Sequence, residues 1–459
     1  MTSYQTVLRD FYLGKYYPVF VAVLVFLGHA SGFEIIFGAL MLLSLIPACF
    51  LCDDLRFAIS PFLYTVFLVS AKGYSPNDTG YADRYLNAPV LITLSVVALL
   101  VVLSLVFFAV KHRKRCTPLP KAGMFLGLAV FCGALMLNGL LSANYTPMNL
   151  FFAGVISLTL LGVYLLFARY VRFDRGSMDY LMRCLVLAGL LIAAELIFAY
   201  LTSVQFVDGE IVKGSVVLGW GVWTTIGGML AFLMPACFYF AASHRHGWLG
   251  YLLGLFLYVC ILLSQSRGAL LFGSVALVLC LFYLCMRGVN RKQNRIFTAI
   301  LAFGGAAVCL LFSDKLLSLV NHFLQYGFGD NGRFEIWKIG IENFLENPVF
   351  GSGFYDSYTT EEWERTVDPY LYHNTVIQLF GSMGVIGVIA YAYHRFCTLR
   401  LVFKRPTTGK IFLGISILTL LLFSLLDVLF FKMYPTIFYS MMLLFMDHDT
   451  ADSLPNNAV

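Results

Sequence analysis

Charge is scarce in this chain. Only 12% of its 459 residues are Asp, Glu, Lys or Arg, whereas 60% are hydrophobic; a soluble domain carries roughly a quarter charged residues. That scarcity excludes a soluble globular fold, because no packed core needs apolar sequence spread evenly over the whole length. The short alternating segments that build a membrane β-barrel are missing as well. No small-residue cleavage site follows the first apolar run, and further runs succeed it, so it reads as a retained helix and not a removed signal. The 11 cysteines lie in apolar runs or beside basic loops, and none falls in the long polar interval 313–372, which argues against a disulfide framework. Cys49 and Cys52 form a solitary CxxC at the end of a run and read as small apolar residues, not a redox or metal site. No internal repeat, low-complexity stretch or soluble catalytic domain is visible. The net charge of +6 does not point to nucleic acid, since the basic residues sit between the apolar runs.

What is present is apolar runs of about 17–25 residues, the length that crosses hydrocarbon as helix. About fourteen are visible, centred near 17–30, 33–51, 57–72, 88–110, 122–142, 149–169, 181–203, 216–241, 249–266, 268–286, 296–312, 373–393, 411–427 and 433–446. The expected fold is all-α, a polytopic transmembrane bundle of about 12–14 spans. Run 216–241 holds Gly-Trp-Gly, a Gly-Gly pair and Pro235, and is expected to be broken or kinked. The last two runs are short enough to form one re-entrant hairpin. One set of loops, from KHRKR (111–115) to Arg395, Arg400 and Lys410, collects 22 of the 31 Lys and Arg residues. The other set holds nine, among them Lys213, Arg267, Arg333 and Lys432. Cytoplasmic loops are the basic ones, which assigns both termini to the cytoplasm and 313–372 to the outside. The chain then divides into a bundle over 1–312, an outer loop with a surface helix over 313–372, further spans over 373–446 and a cytoplasmic tail over 447–459. Glu195 lies deep in a span, where a charge costs on the order of 3 kcal/mol or more; it is either functional or paired with a neighbouring helix.

Three groups are expected to converge at the outer side. Arg267 sits in SQSRGALL, at a join so tight that the flanking spans must form a helical hairpin. Arg333 opens the amphipathic run RFEIWKIGIENFLENP, whose Phe334, Trp337, Ile341, Phe344 and Leu345 recur at helical spacing; Pro348, Gly351 and Gly353 then end the helix. His373 starts the next span. Two guanidinium forks can hold phosphate oxygens in bidentate fashion, and an imidazole can take a proton from an attacking hydroxyl near neutral pH. Together they suit a displacement in which a sugar leaves a lipid pyrophosphate, a preactivated donor where no ATP is available. Each residue also has a plainer reading: a snorkelling anchor for either arginine, a packing residue for the histidine, and a solvated face for Glu361, Glu362, Glu364 and Asp368.

The motifs SRGALL (266–271), GRFEIW (332–337) followed by NPVFGSGF, and HNTVIQLFGSMGVIG (373–387) occur in this order, with the large outer loop before the histidine. In this the chain resembles the O-antigen ligase and O-antigen polymerase superfamily of bacterial membrane glycosyltransferases. The resemblance implies a GT-C-like fold and a metal-independent, inverting transfer with no cofactor. It implies that Arg267 and Arg333 engage an undecaprenyl-pyrophosphate-linked oligosaccharide, that His373 activates the hydroxyl of a glycan or lipid acceptor, and that Asn374, Trp337 and Glu335 support them. The location would be the bacterial cytoplasmic membrane, among its lipids. A ligase passes the glycan to a different molecule and a polymerase to another lipid-linked repeat; the intact histidine motif favours the ligase form. A transporter or flippase for a polysaccharide precursor is the alternative of another class, and would require charged spans and repeat symmetry. Asp447–Asp449 resembles a DxD triplet, but has no domain around it.

Overall fold

A computed structural model describes residues 3–70, 88–114, 123–174, 176–311, 332–354, 359–360, 363–364 and 371–449. Most of the 313–372 interval, including Glu361, Glu362 and Asp368, lies outside them. Helix dominates: α1 (Ser3–Leu13), α2 (Tyr16–Ser31), α3 (Glu34–Leu51), α4 (Leu55–Leu68), α5 (Ala88–His112), α6 (Met124–Leu141), α7 (Pro147–Tyr170), α8 (Ser177–Thr202), α9 (Trp223–Ser243), α10 (Trp248–Leu263), α11 (Arg267–Arg287), α12 (Arg291–Leu311), α13 (Arg333–Glu346), α14 (Thr375–Phe403), α15 (Thr408–Phe423) and α16 (Met433–His448). Each of the fourteen apolar runs contains one of these helices. Among the described residues, eight are long and apolar enough to cross a membrane, nine counting the pair α1 and α2, which bend by 67°. Leu55–Leu68, Trp248–Leu263 and Thr408–Phe423 are shorter apolar helices. The fold is that of a polytopic helical membrane protein.

Helix α9 forms the centre, 94% buried, and its glycines explain how neighbours reach it. A Cβ on Gly227 would collide with the Ser264 hydroxyl and the Ala269 methyl, and one on Gly228 would meet the Phe423 ring. The two glycines therefore let the α10–α11 turn and α15 close on the first turns of α9. Run 216–241 is not helical throughout. Residues before Trp223 form an irregular stretch, with Gly219 at φ 76° and a bridge between Val217 and Val222. Pro235 interrupts the hydrogen-bond ladder within α9 without ending the helix. Ahead of this stretch, β1 (Phe206–Val207) and β2 (Glu210–Ile211) pair through Asp208-Gly209, both at positive φ, the backbone a two-residue hairpin demands. A second pair, β3 (Thr359–Thr360) with β4 (Trp363–Glu364), is also antiparallel.

Helix α14 is a single candidate span, as the run 373–393 suggested, and extends ten residues beyond it. It contains a π turn at Leu379–Met383 and a left-handed residue at Gly384, φ 61°, which opens a 20-residue α-helical stretch to Phe403. Arg395, which the loop charge pattern placed in a connecting loop, lies inside that helix. Its guanidinium carbon stands 4.4, 4.7 and 5.0 Å from the ring centres of Tyr391, Phe430 and Tyr439, an aromatic clasp that offsets the charge. Helices α15 and α16 are separate, joined by residues 424–432, and α16 is buried along most of its length. Asp447 belongs to α16 and accepts from the Tyr164 hydroxyl.

The π turn and the positive φ at Gly384 explain NPVFGSGF. Backbone N–H groups of Ser352 and Gly353 donate to the carbonyls of Gly381 and Ser382, at 2.9 and 3.0 Å. On the other side Ala143 donates to Gly351 at 3.1 Å, and the Asn138 amide donates to Phe350 and Ser382. An extended segment is thus threaded between the α6–α7 turn and α14 with its polar backbone satisfied, as irregular chain buried in a membrane protein must be. Gly351 and Gly353 sit at φ 71° and 100°, and a side chain on Gly353 would strike the Asn149 amide.

Candidate active site

Local sequence rules place each candidate at a helix start. Ser266 caps α11 by accepting from the Ala269 N–H, which puts Arg267 in the first turn, exposed. Gly332, at φ 76°, precedes α13 and puts Arg333 in its first turn, half-buried. Asn374 caps α14: its side-chain oxygen accepts from Val376 and Ile377 at 2.8 and 3.2 Å, and its amide donates to the Leu425 carbonyl at 3.0 Å. Asn374 therefore fixes where α14 begins and ties that point to the end of α15. Directly before it, His373 holds a left-handed backbone at φ 52°, uncommon for a side chain with a Cβ.

These helix starts gather at one end of the bundle. Gly268 abuts Leu426 closely enough that a Cβ would lie 3.1 Å from its side chain, and the next residue, Asp427, faces His373. The Asp427 carboxylate stands 3.5 Å from His373 Nδ1 and 3.7 Å from Lys432 Nζ. Lys432 in turn donates to the Thr225 hydroxyl on α9 at 2.9 Å. Burial alone would push the Asp427 carboxyl up, but the His373 hydrogen bond and the Lys432 charge hold it below the ordinary carboxylate range. Helix α13 docks on the start of α14: Gly340 packs on Tyr372 and Ile377, the Asn343 amide donates to the Tyr372 hydroxyl at 2.7 Å, and Phe344 meets Phe380 edge-on. Arg333 is thereby carried on the helix that packs beside His373.

Lys213 completes the cluster. Its ammonium lies 5.5 Å over the Trp223 ring at the start of α9. Burial lowers its pKa first, and the charges of Arg267 and Arg333 lower it further. Both guanidiniums thus act on one ammonium, so Arg267, Arg333 and Lys213 share one positive field. The arrangement can bind a multiply charged anion and offers an imidazole backed by a buried carboxylate.

The supporting candidates divide. Trp337 buries its indole N–H without a partner among the described residues and meets Phe334 edge-on at 5.4 Å; Glu335 is exposed in the first turn of α13. Deeper in the bundle, Glu195 accepts from the Trp220 indole at 2.8 Å and faces His29 Nδ1 at 3.9 Å, which is the pairing alternative. Asp427, Lys432 and Lys213 were not singled out from sequence. The available signal was a lone aspartate inside FSLLDVLFFK, a charge in an otherwise apolar stretch. Among the described residues no group of three or more His, Cys, Asp or Glu could hold a metal ion.

The chain is 28% identical over 153 residues to the exopolysaccharide production protein ExoQ of Rhizobium meliloti strain 1021, covering 30% of this chain and 34% of that protein. It therefore spans about a third of that relative's length. All three motifs read from the sequence fall in residues 229–392, and it is this part of the chain that matches the family model described as O-antigen ligase.

Proposed function

We propose that the protein is a membrane glycosyltransferase that moves a glycan from an undecaprenyl-pyrophosphate-linked donor to an acceptor hydroxyl on the outer face of the cytoplasmic membrane. The observation that carries this reading is His373 Nδ1 standing 3.5 Å from the Asp427 carboxylate at the bundle end where the first turn of α11, with Arg267, packs on Leu426. Arg267, Arg333 and Lys213 hold the diphosphate and stabilise the charge it gains as the glycosidic C–O bond breaks. His373 removes the proton of the acceptor hydroxyl as its oxygen bonds to the anomeric carbon from the opposite side, which inverts the configuration there. The products are the transferred glycan, undecaprenyl pyrophosphate and a proton that passes from the imidazole to water. Asp427 faces Nδ1, which favours the tautomer that leaves Nε2 as the base and stabilises the imidazolium that forms. Three fixed cations can supply the charge stabilisation that a metal supplies in other transferases.

In the ligase form, the acceptor is a different envelope molecule. The matched relative's description as an exopolysaccharide production protein favours a second version, in which the acceptor is another lipid-linked repeat and the product is a longer polymer. The test is to incubate purified protein with a lipid pyrophosphate oligosaccharide and candidate acceptors, with and without EDTA, and to identify the products. Transfer that survives EDTA with release of undecaprenyl pyrophosphate supports the reading. Donor left intact with every acceptor, or transfer abolished by EDTA, counts against it.

A further inference from the structure

A groove of about 590 Å³ opens at the opposite end of the bundle, between the start of α2, the first half of α8 and the α9–α10 turn. Its wall is apolar, with Val19, Leu190 and Leu253, and Val19 is 44% exposed at its mouth. Its rim carries Lys15, Arg183 and Arg245, all exposed. Among the described residues none of these three has a hydrogen bond or ion pair with a carboxylate. Asp179, one turn before Arg183 on α8, is occupied by the Tyr239 hydroxyl at 2.6 Å and by His244 at 3.3 Å.

We infer that this groove is a binding site for an anionic glycerophospholipid, its acyl chain along Val19, Leu190 and Leu253 and its phosphate among Lys15, Arg183 and Arg245. Two physical features meet there. An apolar wall at the end of spanning helices retains hydrocarbon, and cations drawn from three separate elements encircle a headgroup that a single snorkelling side chain would only touch. Each cation near an anionic headgroup contributes about fivefold in affinity, so all three contribute on the order of 100-fold. The site lies across the bundle from Arg267 and His373 and does not depend on the proposed transfer reaction.

The test uses the full chain, delipidated in mild detergent and titrated by native mass spectrometry with phosphatidylglycerol, phosphatidylcholine or undecaprenyl phosphate. The native protein should retain phosphatidylglycerol in preference to the other two. The triple variant Lys15→Gln, Arg183→Gln, Arg245→Gln, which gives up only the exposed contact of Lys15 with the Tyr16 ring and no ion pair with a carboxylate among the described residues, should melt as the native protein does and bind phosphatidylglycerol about 100-fold more weakly. Leu253→Trp, which fills the groove and keeps every cation, should also lose the lipid; Leu190→Trp serves if that variant does not fold. Equal retention by the triple variant, undiminished binding with the groove filled, or preference for undecaprenyl phosphate would each overturn the assignment.

Discussion

Replacing Asp427 by Asn asks whether the imidazole works alone. The carboxylate lies 3.5 Å from His373 Nδ1, and two unit charges at that distance interact by about 5 kcal/mol at an effective dielectric of roughly 20. The His373 side chain is 45% exposed, so water screens the pair and roughly 1–2 kcal/mol remains. That energy is realised only when the imidazole carries a proton, which in the proposed reaction is the transition state and the step after it. Asp427→Asn should therefore lower kcat by about 5- to 30-fold at 1.36 kcal/mol per tenfold. KM for the lipid-linked donor should hardly change, because in the proposed reaction Asp427 acts through His373 and not on the donor. Asp427→Glu should restore part of the rate. The assay is single-turnover transfer from a labelled donor, with melting temperature as the check on folding. A well-folded Asp427→Asn protein with the native kcat, or one whose loss lies wholly in KM, would refute a role through His373.

His373→Ala should reduce transfer by roughly 10²–10⁴-fold with the protein still inserted, as removal of a general base does; near-native turnover removes it from the mechanism. Arg267→Lys keeps the charge and loses the fork, so donor KM should rise by about tenfold, measured against a series of donor concentrations. Lys213→Met relieves the repulsion from both arginines, so the ligand-free protein should melt higher while the donor binds less tightly; a variant that changes neither would detach Lys213 from the site. Asp427 is held below its ordinary value, so its stabilising contribution is complete above about pH 4, the unfolded value, and is lost as pH falls through the lower folded value. The melting advantage over Asp427→Asn should shrink in that acid range, which a pH series of thermal melts measures.

The helices were legible because apolar length is a strong signal in a chain with so little charge. Arg267, Arg333 and His373 could be read as candidates because each stands where a polar residue interrupts or opens an apolar run. Three things were not legible. The threading of NPVFGSGF against the π turn of α14 depends on hydrogen bonds from Asn138 and Ala143, more than 200 residues away, and no local pattern announces such partners. Arg395 looked like a loop cation because its neighbours Arg400 and Lys404 are basic; only the arrival of Phe430 and Tyr439 beside Tyr391 makes a place for it inside a helix. Lys213 and Asp427 read as isolated charges in sequence, and they gain meaning only from what folds against them.

Gathering cations of one sign lowers stability through their mutual repulsion. At Lys213 burial lowers the pKa first, and the charges of Arg267 and Arg333 push the ammonium further toward its neutral form. The structure tolerates this through rigid supports. Trp223 receives the ammonium on its ring face, Ser266 and Gly332 set the helix starts that aim the arginines, and Tyr372 locks α13 to α14 beside His373. A site held together by such devices against its own repulsion gains when an anion enters, since the anion's charge offsets the repulsion among the cations. Preorganisation of this kind favours the state with the most negative charge, and in a displacement from a pyrophosphate that state is the departing diphosphate and not the bound donor.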